Sequence, residues 1–201
     1  LVDEDSVRAV MMNFGCHPVT GCSPEEDYFR FSSDYPYYAR QTITDKWHCP
    51  VLFTLGAAGD AVPINRKDDC RERIGAILGN AAILAERTYQ TDGSDLLRAE
   101  EIEIEAETII KTDPQTAEAE YESAREAILA VEDRESDEYR ERLSDYQHKL
   151  MICGRARRYP DNKHTIRIQF IRIGKTVFVV LGFEVLAEIA LKMKEQYPDS
   201  V

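Results

Sequence analysis

A histidine and a glutamate, both ligand-type side chains, follow two apolar runs of the sequence. His17 follows residues 8–14, which have the large and β-branched side chains of a strand buried on both faces. Glu184 follows a second apolar run at 176–181. Open α/β sheets bind their ligands at the carboxyl ends of strands, so we predict both side chains at such an edge. For His17 alone, the alternative is a turn-capping role before Pro18.

Alternating strand and helix patterns must position these side chains. We predict strands at 8–14 and 50–55, with a helix from about 35 to 46 between them and another helix after them. This order favours a parallel α/β arrangement. The apolar stripe of the second helix is expected to be buried, and its residues are Ile74, Ile77, Leu78, Ala81 and Leu84.

An acidic helical segment occupies the middle of the second half. Residues 113–153 are rich in Ala, Glu, Arg and Leu, and Asp113 is a suitable helix cap. We predict one long helix or two consecutive ones, ended by Gly154. The stripe expected to join this segment to the core is Ala117, Tyr121, Ala124, Ile128 and Val131.

Strand patterns flank that segment. Residues 102–105 alternate Ile with Glu, as in a strand with one wet face, while 165–173 and 176–181 flank a two-residue turn, Gly174-Lys175. That hairpin would make the sheet mixed. The predicted fold class is therefore α/β, with a mixed, partly parallel β-sheet flanked by helices and a long acidic helical segment, in a single domain over residues 1–201.

The charge balance restricts the partners. The chain has 37 acidic and 25 basic side chains and a formal charge of −12. This charge repels phosphate backbones, so no nucleic-acid partner is expected. No apolar run reaches the roughly 18 residues that a membrane helix needs, so no transmembrane segment is predicted. The oligomeric state stays open.

The cysteine count bears on location and on metal binding. Five cysteines, an odd number without Cys-x-x-Cys spacing, favour a reducing, cytoplasmic compartment. Leu1 is not a natural start residue, so the amino terminus is expected to be missing and secretion is the alternative. A structural zinc site of non-standard spacing is a further alternative, and its ligands would come from Cys16, His17, Cys22, His48 and Cys49.

Three segments at predicted strand ends occur in a characteristic order. They are His17-Pro18-Val19-Thr20 with Ser32-Ser33-Asp34, then Gly56-Ala57-Ala58-Gly59-Asp60-Ala61-Val62-Pro63, then Arg172-Ile173-Gly174 with Leu181-Gly182-Phe183-Glu184. Together they resemble the amino-terminal catalytic domain of the neutral/alkaline ceramidases and their bacterial relatives. The resemblance covers most of the chain, and the acidic helical segment is the part least matched.

The resemblance implies a zinc-dependent amidase that cleaves the amide between a fatty acid and a sphingoid base. That family holds its metal with two histidines, a glutamate and a tyrosine. His17 matches one of the histidines, and Glu184 matches the glutamate. The resemblance places the other histidine before Leu1 and the tyrosine after Val201, so the chain is expected to be a fragment of the enzyme core with an incomplete zinc site.

Two departures from the family pattern bear on the chemistry. The family's serine nucleophile corresponds to Val62, which cannot attack a carbonyl. The Pro-Gly pair before the family's glutamate is replaced at 181–183, so the backbone that aims Glu184 would differ. Zinc lowers the pKa of its bound water to about 7, so metal-activated water would be the attacking group instead.

Other polar side chains are candidates beside the metal ligands. Asp60 is predicted as the catalytic carboxylate that orients the water or a ligand histidine, and the alternative is a turn-stabilising role. Asp34 and Asn65 are predicted substrate contacts, with a helix cap and an ordinary surface position as their alternatives.

The sequence thus predicts a zinc-dependent hydrolase of the ceramidase superfamily that cleaves an amide bond in an N-acyl lipid or a related small molecule. The alternative is a non-catalytic ceramidase-like binding protein, with residues 113–153 as an interaction arm. A third possibility is hydrolysis of another ester or amide in a nutrient-scavenging or cell-envelope pathway.

Overall fold

The computed structural model describes residues 1–3, 6–20, 31–66, 70–88 and 93–197. The chain divides into two compact units, unit 1 with Leu1–Ala99 and Phe170–Val201, and unit 2 with Glu100–Gln169. The described elements are β1 Val2–Asp3, β2 Ser6–Val7, β3 Val10–Phe14, α1 Tyr35–Trp47, β4 Val51–Leu55, α2 Cys70–Ala85, β5 Leu97–Glu107, α3 Pro114–Leu129, α4 Asp137–Arg158, β6 Lys163–Ile173, β7 Thr176–Leu181 and α5 Ala187–Gln196.

Strands β3 and β4 form a parallel pair, with α1 as the connection between them. Their register begins with Val10 opposite Val51. The ring of Tyr35, fully buried at the start of α1, packs edge-on against Phe14 and Phe53 at centroid distances of 6.0 and 5.9 Å. This strand–helix–strand unit confirms the α/β prediction, and it places the carboxyl ends of β3 and β4 side by side.

Helix α2 packs on α1 through two glycines about one turn apart. A Cβ at Gly75 would lie 2.4 Å from the Cβ of Tyr38, and a Cβ at Gly79 would lie 2.6 Å from the Cβ of Thr42. These distances are far below a normal carbon–carbon contact. Only glycine therefore permits the observed approach of the two helices.

The stripe predicted to be buried on α2 is wrong for three of its five members. Ile77, Ala81 and Leu84 are exposed, whereas Ile74 and Leu78 are partly buried. The physical reason is that α2 turns its glycines toward α1. Apolar periodicity identifies the helix face with the largest apolar side chains. It does not detect a face that packs closely because its residues are glycines.

Unit 2 contains a helical hairpin formed by α3 and α4. Asp113 caps α3 by accepting a hydrogen bond from the backbone N of Thr116 at 2.8 Å. Ser136 caps α4 by accepting one from the backbone N of Tyr139 at 3.1 Å. Of the two predicted arrangements of residues 113–153, one long helix or two consecutive helices, the structure shows the second.

Small side chains form the core between these helices. Ala117, Cys153 and Ala156 form a buried cluster. Tyr121 and Ile152 are partly buried and pack against it. The predicted helix end at Gly154 is wrong, since α4 continues to Arg158. Gly154 does not adopt the positive φ with which a glycine ends a helix, and it lies in open space.

Strands β5, β6 and β7 form a three-stranded sheet in that order. The turn between β6 and β7 begins with Gly174 at φ 59°, which confirms the predicted hairpin. The prediction of a single wet face on β5 is wrong, because Ile102 and Ile104 on the other face are also exposed, at 45% and 43%. Within unit 2, the glutamate face of β5 is paired with cations of β6. Lys163 Nζ lies 2.7 Å from Glu105, and Arg167 Nε lies 2.8 Å from Glu103.

Candidate functional site

The ends of β3 and β4 approach closely at two glycines. The backbone N of Gly56 donates a hydrogen bond to the last carbonyl of β3 at 3.0 Å. A Cβ at Gly56 would lie 2.8 Å from Asn13 Oδ1 and 3.1 Å from the backbone of Gly15. The absence of a side chain therefore lets the loop after β3 and the loop after β4 run in contact.

The loop after β4 also contacts the segment that follows β7. The carbonyl of Ala61 accepts a hydrogen bond from the backbone N of His17, and the backbone N of Gly59 donates one to the carbonyl of Val185, both at 2.8 Å. A Cβ at Gly59 would lie 3.0 Å from that carbonyl oxygen. The segments that carry His17 and Glu184 are thus anchored on the same short loop.

His17 and Glu184 meet side chain to side chain, although they stand 167 positions apart in the sequence. Nε2 of His17 lies 3.2 Å from Oε1 of Glu184. The histidine side chain is 22% exposed and the glutamate side chain is 77% exposed, so a ligand could reach the pair from solvent. The structure therefore brings together the two strand-end side chains singled out in the sequence.

The environment of His17 favours its charged form while leaving one ring nitrogen unused. The hydrogen bond that Nε2 of His17 donates to the Glu184 carboxylate raises the pKa of His17 above its usual value; partial burial opposes this, and the carbonyls of Ala58 and Ala61 raise the pKa further. Nδ1 is buried and has no hydrogen-bond partner among the described residues. A buried imidazole nitrogen without a partner is costly in free energy.

Asp34 lies at the start of α1 and acts as its cap. Its Oδ2 accepts hydrogen bonds from the backbone N and the hydroxyl of Thr20 at 3.0 and 2.7 Å, and its Oδ1 accepts one from the backbone N of Tyr35 at 2.7 Å. Asp34 has φ 56° and ψ −151°, a conformation that costs about 1–3 kcal/mol in a residue with a side chain. The hydrogen bonds offset that strain. The predicted capping alternative is therefore observed, while substrate contact stays a prediction.

Tyr35 connects this cap to the loop that carries His17. Its hydroxyl donates a hydrogen bond to the carbonyl of Cys16. Burial raises the pKa of Tyr35 above its usual value, so the hydroxyl keeps its proton and stays a donor. Sequence reasoning did not identify this contact of Tyr35, and the position of the tyrosine directly after a capping aspartate was the signal available.

Asp60 makes a long-range contact that the sequence did not indicate. Its Oδ1 accepts a hydrogen bond at 2.8 Å from the backbone N of Ala187, which lies 127 positions away at the start of α5. Val62 and Asn65 are exposed in and after the same loop. The predicted catalytic role of Asp60 and the predicted substrate contact by Asn65 stay predictions.

His17 and Glu184 provide two possible ligands, which is fewer than a complete metal site needs. No group of three or more His, Cys, Asp and Glu side chains suited to a metal ion occurs among the described residues. The alternative cysteine site is therefore not formed by its described members, Cys16, His17, His48 and Cys49. Cys22, its remaining member, lies outside the described residues.

The atoms of the pair fit two positions of a zinc site. An imidazole nitrogen and a carboxylate oxygen are both common zinc ligands. With bonds of about 2.0–2.1 Å, two ligand atoms of a tetrahedral zinc lie about 3.3 Å apart. The observed 3.2 Å between His17 Nε2 and Glu184 Oε1 is close to that separation. The same distance also lies within the roughly 2.7–3.2 Å range of N–H···O hydrogen bonds.

No protein-family model, curated protein or solved structure matches this chain. Across the described ranges, no helix is long and apolar enough to cross a membrane.

Proposed function

We propose that the protein is a zinc-dependent hydrolase of the neutral/alkaline ceramidase superfamily that cleaves an amide bond in an N-acyl lipid or a related substrate. The observation that carries the proposal is the 3.2 Å contact between His17 Nε2 and Glu184 Oε1. The family resemblance assigns these same two residues as metal ligands. Nothing in the local sequence around either residue requires them to meet.

In this proposal His17 and Glu184 hold zinc, and the remaining ligands come from other residues. When bound, zinc polarises a carbonyl oxygen and lowers the pKa of water to about 7. His17 must release its proton before it can bind a metal, and Glu184 raises the pKa at which it does so. Metal affinity should therefore increase as the pH rises through the pKa of His17.

The test compares zinc content and amide hydrolysis in the full-length protein and in three variants of it. We expect about one zinc per chain, lost in both His17→Ala and Glu184→Ala, together with N-acyl amide hydrolysis that a chelator abolishes. Glu188→Ala is the matched control, because this exposed glutamate of α5 pairs with Lys192 and not with His17. Unchanged zinc content in both ligand variants, or chelator-resistant hydrolysis, would refute the proposal.

A non-catalytic ceramidase-like binding protein is the second candidate, and Val62 is the observation that favours it. Val62 is 45% exposed and stands where the family resemblance expects a serine nucleophile. The variant Val62→Ser restores a hydroxyl at an accessible position. Chelator-sensitive turnover of an acyl amide by the protein itself would exclude this candidate. If the protein binds zinc and neither it nor Val62→Ser hydrolyses an acyl amide, the non-catalytic candidate is favoured.

A further inference from the structure

Helix α5 begins without a capping side chain of its own. Leu186 occupies the N-cap position and has no side-chain acceptor to offer. The first amides of a helix have no partner within the helix and need an acceptor from elsewhere. Asp60 Oδ1 supplies one at 2.8 Å from the backbone N of Ala187. The negative charge of a carboxylate is also favourable at the positive end of the helix dipole.

This cap acts beside the histidine–glutamate pair. Glu184 precedes Ala187 by three residues, and the backbone of Val185 between them is held by Gly59 at 2.8 Å. The other side of the same loop holds the backbone of His17 through Ala61. The side chain of the glutamate is 77% exposed, so packing contributes little to its placement. Its position depends mainly on where its backbone is anchored.

We propose that Asp60 is a positioning residue that keeps Oε1 of Glu184 opposite Nε2 of His17 by anchoring the start of α5. The proposal deepens the proposed function and rests on it, because the pair that Asp60 positions is the proposed zinc site. The role differs from general acid or base catalysis in one respect: an uncharged acceptor oxygen suffices for it.

Three variants test the hydrogen bond from both of its ends. Asp60→Ala removes the acceptor, whereas Asp60→Asn keeps an oxygen that caps a helix about as well. Ala187→Pro removes the donor. Proline is well tolerated at the first position of a helix, and Leu186, at φ −70° and ψ 146°, already has the conformation that a following proline requires. This variant tests the same bond if Asp60→Ala fails to fold.

The first readout is zinc affinity, measured by competition with a chromophoric chelator. Loss of an outer partner of a metal ligand typically weakens binding about 10–100-fold, and we expect this for Asp60→Ala and for Ala187→Pro. The double variant should bind no more weakly than either single one, because both remove one bond. Asp60→Asn should bind like the unmodified protein. The matched control is Asp113→Ala, which removes the cap of α3 and should leave zinc affinity unchanged.

The second readout needs no metal. At fixed pH and without zinc, the ¹⁵N resonance of His17 Nε2 should move in Asp60→Ala in the same direction as in Glu184→Gln, since both separate the imidazole from the carboxylate. If the unmodified protein binds no zinc, the proposed function fails, and this resonance alone decides the role of Asp60. A resonance that stays at its original position overturns the positioning role. So does full zinc affinity in Asp60→Ala, or an Asp60→Asn variant as weak as Asp60→Ala.

Discussion

Replacing Gly75 by alanine is expected to force α1 and α2 apart. The new Cβ would lie 2.4 Å from the Cβ of Tyr38, 2.7 Å from the carbonyl oxygen of Tyr35 and 2.8 Å from the backbone N of Ala39. Carbon atoms in contact normally lie about 3.5–4.0 Å apart, so the helices must separate by about 1 Å at this point. The three obstructing atoms are backbone or Cβ atoms. No side-chain rotation can therefore relieve the clash.

The expected cost follows from two opposing effects. Overpacking of this kind typically costs about 1–3 kcal/mol or more, because neighbouring contacts open when the backbone moves. Alanine recovers about 1 kcal/mol through its higher helix propensity. Because three backbone or Cβ atoms obstruct the new Cβ, the upper part of the overpacking range applies, and a net loss of about 1–2 kcal/mol is expected for Gly75→Ala. The matched control is Gly154→Ala in α4, where a Cβ would meet nothing within 4 Å. At this position only the higher helix propensity of alanine acts, and the free energy of unfolding is expected to increase by about 0.5–1 kcal/mol.

Native-state amide hydrogen exchange is the suitable assay for this pair of variants. The chain has two compact units, so a single unfolding midpoint would mix their stabilities. Exchange reports each unit through its own amides. Gly75→Ala should accelerate exchange in α1 and α2, and Gly154→Ala should slow it in α3 and α4. Unchanged or greater protection of α1 and α2 in Gly75→Ala would refute the close packing at Gly75.

Three further predictions concern the site and unit 2. Because Glu184 raises the pKa of His17, the pair stabilises the fold below the unfolded pKa of about 6.5 and loses this contribution as the pH rises through the folded pKa. In metal-free buffer, Glu184→Gln should therefore lower the free energy of unfolding at about pH 5.5 but not at about pH 9, and an equal effect at both would contradict this. Thr20→Val should lower the exchange protection of α1 by about 1.5–3 kcal/mol, because Asp34 loses a hydroxyl donor, and unchanged protection would argue against that bond. Ala117→Leu should lower the exchange protection of α3 and α4 by about 1–3 kcal/mol through overpacking, and unchanged protection would show that this core has free space.

The two ligand-type residues of the site were predictable because their signals are local. An apolar run followed by His17, or by a short turn and then Glu184, marks the end of a strand within a few residues. Their meeting does not follow from a shared sheet, because His17 follows β3 of the β3–β4 pair and Glu184 follows β7 of the separate β5–β6–β7 sheet. The loop after β4 brings the two segments together. The cap at Asp34 was predictable from a local signal too, since it lies next to the helix that it begins.

The anchor at Asp60 was not predictable, because its partner stands 127 positions away in the sequence. A Gly-Asp pair after a strand indicates a turn whether or not a helix end lies beside it. The face of α2 that packs on α1 was missed for a different reason. Hydrophobic periodicity measures where large apolar side chains recur, whereas Gly75 and Gly79 pack by bringing two backbones close together.

The same close backbone approach explains how exposed side chains can be held in a defined geometry. Around His17 and Glu184 several of the positioning contacts are hydrogen bonds between backbone groups, and glycine stands at two of them, Gly56 and Gly59. Each glycine removes a side chain that would separate two loops by several tenths of an ångström. A metal site tolerates little such displacement, because its ligand atoms must lie within about 0.2 Å of their proper distances. We therefore expect a larger residue at Gly56 or Gly59 to weaken the proposed zinc site, because its Cβ would push apart the loops that carry His17 and Glu184.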